Sequence, residues 1–234
     1  MENDIYVLKT NSELKELAKQ QLTGKWGRGA LLSLIYLLVG ILPGQLLVSK
    51  FNFSSLLMSL LNIVLIAPVT MGLAICYLKL IREKDFNVAD IFHGFNYFIT
   101  VVVVYGIVDS ANIINLFIIN IITVNIVTDR ILSLVFGLLS LFLYLLFSMV
   151  YYILIDNPEI GVMGALAGSR KLMHGQIVRL LLLQLSFLGW ILLTILSLGI
   201  GFLWVLPYIE ATTANLYLDL KNREANKSVL YFSE

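Results

Sequence analysis

Four side chains stand out chemically in an otherwise apolar chain: His93, His174, Asp109 and Glu210. Two imidazoles joined by an acid can hold a metal or pass a proton. Neither histidine, however, lies in an HExxH or comparable ligand spacing. The sequence has no Gly-rich loop followed by Lys-Ser/Thr and no serine in a GxSxG elbow. No catalytic residue, metal ligand set or cofactor is therefore assigned. Asp109 lies about halfway along a run, 90–129, in which it is the one charged residue between the terminal aspartates. A carboxylate in hydrocarbon is costly, and where it occurs it usually handles an ion or substrate. Alternatively the helix breaks there and Asp109 caps a segment beside Ser110 and Asn112. Glu210 follows Pro207 by three residues. The proline frees a backbone carbonyl and opens the helix, as happens at transport sites. A structural hydrogen bond from Glu210 to Tyr208 or Gln184 is the plainer alternative. The candidates for ligand or transport contact are thus Glu210, Asp109, Tyr208 and Gln184. Trp26, Arg170, Lys171 and His174 suit the interface and lipid headgroups.

The composition says what holds these residues. Hydrophobic residues make up 59% of the 234, charged residues 13%, and mean hydropathy is +0.90. Soluble domains carry about 25% charge, so this is an integral membrane protein. Sixteen basic residues against fifteen acidic leave no surplus for nucleic acid. The single cysteine, Cys76, lies in an apolar run and reads as a packed thiol. Glu2 and Asp4 argue against a cleavable signal peptide and leave targeting to the first span.

Thr10-Asn-Ser-Glu13 forms a capping box. Behind it Leu14, Leu17, Ala18 and Leu22 share one face, predicting a short amphipathic helix on the membrane surface. Uncharged stretches at 29–49 and 51–78 predict two spans, the first with Gly40 and Gly44 as a close-packing face, the second bent at Pro68. After Lys79–Asp85, residues 88–95 read as a return along the surface. The 90–129 run is one long tilted helix, a broken helix, or two short segments. Residues 131–155 make an unambiguous span, with Ser133 and Gly137 as a second small-residue face. Asn157 and Pro158 then start an interfacial helix near 158–174. Stretches 180–198 and 202–218 are the last spans, joined by a turn at Gly199 and Gly201.

The fold class expected is all-α: a six-helix polytopic membrane bundle with short interfacial helices. Its N-terminus covers 1–28, the membrane domain 29–220 and a polar tail 221–234. With both termini in the cytoplasm, fourteen of the sixteen lysines and arginines fall inside, leaving Lys50 and Arg130 outside. That count favours one net crossing between Asp90 and Arg130.

Three blocks of this sequence resemble a bacterial membrane protein family, domain of unknown function 975. They are Glu13-Leu-Lys-Glu-Leu-Ala-Lys-Gln-Gln-Leu-Thr-Gly-Lys-Trp-Gly27; Ile155-Asp-Asn-Pro-Glu-Ile-Gly161 through Ala165 and Ser169-Arg-Lys-Leu-Met-His-Gly175; and Leu185-Ser-Phe-Leu-Gly-Trp190, Gly199-Ile-Gly-Phe-Leu-Trp-Val-Leu-Pro-Tyr208 and Ala214-Asn-Leu-Tyr-Leu-Asp-Leu220. Residues 101–129 carry no family motif. The resemblance implies a fold and a location, the bacterial cytoplasmic membrane, and carries over no catalytic residue. The sequence also looks distantly like the membrane portion attached to some glycerophosphodiester phosphodiesterases, without their catalytic domain.

Three functions are weighed. The first is a non-enzymatic protein binding membrane lipid, a peptide or a membrane-protein partner, in envelope homeostasis, peptide export or self-protection. The second is a small transporter or channel using Glu210 or Asp109. The third, an enzyme acting on headgroups, needs His93, His174 or Asp156 to converge with a neighbouring acid.

Overall fold

In hydrocarbon each backbone N–H and C=O must find a partner within its own segment, so an apolar chain of this length is confined to helices. The computed structural model describes residues 6–51, 55–121 and 125–232, and the side-chain surroundings of these apart from 41–51, 55–62, 119–121 and 228–232. The described chain is all-α: α1 (Asn11–Leu22), α2 (Trp26–Phe51), α3 (Ser55–Glu83), a 3-10 helix (Val88–Tyr97), α4 (Phe98–Val108), α5 (Ser110–Ile121), α6 (Ile126–Leu146), α7 (Val150–Asp156), a 3-10 turn (Pro158–Ile160), α8 (Gly161–Met173), α9 (Ile177–Leu185), α10 (Leu188–Leu196) and α11 (Phe202–Phe232). Among the described residues four helical stretches are long and apolar enough to cross a membrane: Ile63–Glu83, Val88–Val108, Ile126–Asp156 and Ile177–Leu196. Trp26–Gly40 is a shorter apolar helix. The protein is polytopic.

Helix α3 is the central post. Its span is 78% buried in protein, against 6% for Ile126–Asp156. One face of α3 (Leu73, Tyr77, Leu80) packs with α1, α9 and α11, and another (Ala67, Met71, Ile75) with α4, α7 and α8. Helix α6 instead exposes Ile131, Leu134, Val135 and Leu138, and α10 exposes Leu192, Ile195 and Leu196. An apolar helix with its side chains outward is one whose solvent is hydrocarbon.

The capping box of α1 forms as the sequence predicts, with Glu13 N–H donating to Thr10 Oγ1 at 3.2 Å and Thr10 N–H donating to Glu13 at 2.6 Å. Its apolar face does not turn to the membrane surface, however. Leu14, Ala18 and Leu22 are fully buried in the core shared with Ala211, Ala214 and Leu220 of α11, and Gln21 pairs with Asn215. Residues 88–95, read as a return along the surface, also pack on a helix. They wind as a 3-10 helix against α3, where Ile91 and Gly94 are buried. The contact is backbone to backbone: a Cβ on Gly72 would lie 1.8 Å from Ile91 O, and one on Gly94 1.9 Å from Pro68 O. Within the described part of the 90–129 run the helix is interrupted at Asp109. Helix α5 then folds back along α6, with Asn112 donating to Ser140 at 2.8 Å and Asn115 to Ser133 at 3.4 Å.

Two further breaks are repaired by polar groups. Between α6 and α7, Ser169 Oγ of α8 donates to Leu146 O at 2.9 Å and accepts from Met149 N–H at 3.2 Å. Between α9 and α10, Ser186 Oγ donates to Leu183 O at 2.6 Å. Asn157 makes no side-chain cap hydrogen bond, and α8 starts later, at Gly161, whose φ is +67°.

Candidate functional site: a basic cleft and a buried carboxyl

Among the described residues, the ion pairs gather at one end of the bundle. At its centre Asp219 of α11, 2% exposed, accepts from Arg179 Nη2 at 3.0 Å, Tyr6 Oη at 2.9 Å and Lys9 N–H at 3.2 Å. Asp156, where α7 ends, accepts from Arg82 at 2.7 Å, from Tyr217 Oη at 2.6 Å and from Lys221. Arg28 meets Asp85 at 2.7 Å and Phe86 O at 2.7 Å, tying the start of α2 to the end of α3. Asp219 thus joins the chain before α1 to α9 and α11, and Asp156 joins the ends of α3 and α7 to the middle of α11.

Beside them opens a cleft of about 670 Å³ between α8 and α11. One wall is apolar, made of Phe147, Met163 and Leu166; Met163 is 76% exposed. The other carries Arg170, Lys171, His174, Arg223 and Lys227 around a single acid, Glu224. Lys171 bonds Glu224 at 3.0 Å and holds its carboxyl below the usual range, aided by the Lys227 and Arg223 charges. Five potential cations thus share one carboxylate. Arg223 Nε is buried without a hydrogen-bond partner. A second cleft, about 790 Å³ and lined by Asp156, Asn157 and Lys221, lies across Lys171, Glu224 and Lys227. Arg170, Lys171 and His174 are therefore brought together as the sequence places them. Arg223, Glu224 and Lys227 join them because α11 runs on as helix to Phe232 rather than ending in a loose tail.

Trp26 is elsewhere, edge-on to Tyr208 at 6.3 Å. Tyr208 also meets Phe187 at 5.1 Å and Trp190 at 6.2 Å, and Lys15 lies 4.5 Å over the Phe187 ring. Tyr208 therefore belongs to an aromatic cluster that pins α1 and α2 to α10, α11 and the α9–α10 junction. Among the described residues Glu210 hydrogen bonds with neither Tyr208 nor Gln184. It is half-buried in α11, three residues beyond Pro207. Asp109 sits at the α4–α5 break and accepts from Asn112 Nδ2 at 2.7 Å. His93 contacts Asp90 at 3.4 Å beside Asn96 and Tyr97, a different surface from the His174 cleft. Cys76 is a buried thiol, 3.8 Å from Asn87 O. Among the described residues no three His, Cys, Asp or Glu side chains are placed to hold one metal ion.

No curated protein and no solved structure matches the chain. A family model described as protein of unknown function (DUF975) matches residues 1–224, so this polytopic membrane protein belongs to that bacterial family.

Proposed function

We propose that the protein is a six-span, non-enzymatic membrane protein, with both termini in the cytoplasm, that binds anionic lipid in the α8–α11 cleft. The observation that carries this reading is the cleft's two-sided lining, five basic side chains facing an apolar wall. A phosphate-bearing amphiphile matches both: its headgroup meets Arg170, Arg223 and Lys227, and its acyl chain lies along Phe147, Met163 and Leu166. Arg223 Nη2 donates to Leu172 O at 3.5 Å, which holds the guanidinium at the cleft. Helices α2 and α11 complete the six crossings in this topology. Fourteen of sixteen basic residues then face the cytoplasm, where anionic headgroups attract each Lys or Arg by about 1 kcal/mol. An acidic peptide or a membrane-protein partner is the competing occupant.

The test is thermal unfolding in neutral detergent with added phosphatidylglycerol or phosphatidylcholine. Phosphatidylglycerol should raise the midpoint and phosphatidylcholine should not. Arg170→Gln and Arg223→Gln should each weaken the phosphatidylglycerol effect about fivefold, the equivalent of roughly 1 kcal/mol. Equal stabilisation by both lipids would remove the headgroup from the reading.

A further inference from the structure

The two clefts beside α11 sort their positive charges by residue type. Every lysine lining them stands in an ion pair. Lys221 is held by Asp156, and Lys171 and Lys227 meet the two oxygens of Glu224 at 3.0 Å and 3.8 Å. Lys171, Glu224 and Lys227 line both clefts and so form the ridge between them. The Glu224 side chain is 27% exposed, its lysines 71% and 53%. The carboxylate therefore lies deeper than its partners. The one surplus lysine charge sits toward solvent, where it counts for little.

The arginines are different. Among the described residues neither Arg170 nor Arg223 takes part in an ion pair, although both line the cleft of about 670 Å³ that holds Glu224. Arg170 comes from the last turn of α8. Arg223 comes from α11, and its Nη2 reaches Leu172 O of α8 at 3.5 Å, which braces the guanidinium across the gap. Two guanidiniums, one from each helix, thus line the same cavity with their charge unspent. A guanidinium is a planar fork that donates two parallel N–H bonds to adjacent oxygens, and it matches phosphate in a way that an ammonium does not. A phosphodiester such as phosphatidylglycerol offers a single charge on its two free oxygens. A phosphomonoester offers close to two charges on three oxygens. Two forks and two unspent charges match the monoester, and Phe147, Met163 and Leu166 remain for its acyl chains.

We infer, resting on the anionic-lipid reading of this cleft, that it selects a lipid whose headgroup ends in a phosphomonoester. Arg170 and Arg223 are the residues that read the phosphate. Glu224 keeps Lys171 and Lys227 occupied, so the selection falls to the arginine pair.

The experiment is a titration of the detergent-purified full chain at about pH 8, where a phosphomonoester is doubly charged. The unfolding midpoint is followed against phosphatidic acid, phosphatidylglycerol and phosphatidylcholine. Phosphatidic acid should half-saturate at a concentration about tenfold lower than phosphatidylglycerol. Arg170→Gln combined with Arg223→Gln should cut that preference to about twofold or less. Lys171→Gln combined with Glu224→Gln removes an ion pair at constant net charge, and should leave the preference within about twofold of wild type. Equal half-saturation by phosphatidic acid and phosphatidylglycerol, both above phosphatidylcholine, would overturn this inference and leave the anionic-lipid reading standing. A preference lost in the lysine–glutamate variant and kept in the arginine variant would overturn it too. Glycerol phosphate, which has the monoester and no acyl chain, separates the other case. A shift as large as that of phosphatidic acid would keep the monoester and remove the lipid. Should the arginine variant fail to fold, the comparison of the lipids on wild type and on the lysine–glutamate variant still decides.

Discussion

Replacing Gly94 by alanine should all but abolish recovery of folded protein, while the same replacement at Gly137 should leave it intact. A Cβ at Gly94 would fall 1.9 Å from Pro68 O, 2.7 Å from Gly72 N and 2.9 Å from Pro68 C. All three are backbone atoms of α3, which cannot swing aside as a side-chain tip can. Relief requires the 3-10 helix to move off α3 by about 1 Å or more, to bring that contact up to an ordinary distance. That would pull Ile91, fully buried, from the core it shares with Leu73 and Tyr77. The expected cost is about 4 kcal/mol or more, in the range reserved for gross overpacking of a core. Gly72→Ala should act alike, since its Cβ would lie 1.8 Å from Ile91 O. At Gly106 and Gly137 an added Cβ meets nothing within 4 Å. There alanine should be neutral or stabilising by up to about 1 kcal/mol. Size-exclusion profiles after stepwise heating separate the two pairs. A Gly94→Ala protein surviving to within about 2 °C of wild type would mean that the two backbones are not in contact.

These glycines also show what is legible in the sequence. Spacing rules for small residues pick out pairs on one helix, and on that ground Ser133 and Gly137 should pack closely, within the bundle or against a second protomer. Gly137 in fact faces open space, although Ser133 does bond Asn115 across to α5. Gly72 and Gly94 lie on different elements, so no periodicity links them. Local signals fare best: the Thr10–Glu13 capping box forms as read, and four of the apolar runs are helices long enough to cross a membrane, because each depends on neighbours in sequence. The face of α1 is legible too, but not what covers it. A row at Leu14, Ala18 and Leu22 says that something apolar lies opposite, and α11 or lipid would serve equally. The surroundings of Glu210 escape for a similar reason. Tyr208, two positions away, lies on the far side of the helix from Glu210, since neighbours on a helix face are three or four residues apart. A partner for Glu210 would have to come from another helix, and no sequence spacing encodes that.

Asp219→Asn should have the other large effect, lowering the unfolding midpoint by about 10 °C. The Asp219 carboxylate is 1% exposed and Arg179 opposite it only 17%. Its two oxygens serve Arg179, Tyr6 and the Lys9 N–H, with Lys9 Nζ at 3.8 Å, while Arg179 also donates to the Lys9 carbonyl. One carboxylate therefore fastens the chain before α1 to α9 and α11 at once. Asparagine keeps the shape and can still accept from Tyr6 or the Lys9 N–H. What it loses is the charge, leaving a mostly buried guanidinium uncompensated. Breaking a buried pair from one side costs about 3–5 kcal/mol, and for a protein of this size each kcal/mol moves the midpoint by roughly 2–4 °C. The loss should persist in high salt, because a buried pair is poorly screened. The more exposed Lys171–Glu224 pair should contribute far less by the same measure. Adding Arg179→Gln to Asp219→Asn should restore part of the stability, since it removes the orphaned charge. The N-terminal segment gives a second readout. With the carboxylate gone, trypsin should cleave after Lys9 and Lys15 at temperatures where the wild type resists. An Asp219→Asn protein that melts within about 1 °C of wild type, with its N-terminus still protected, would show that packing of Leu14, Ala18 and Leu22 holds α1 unaided.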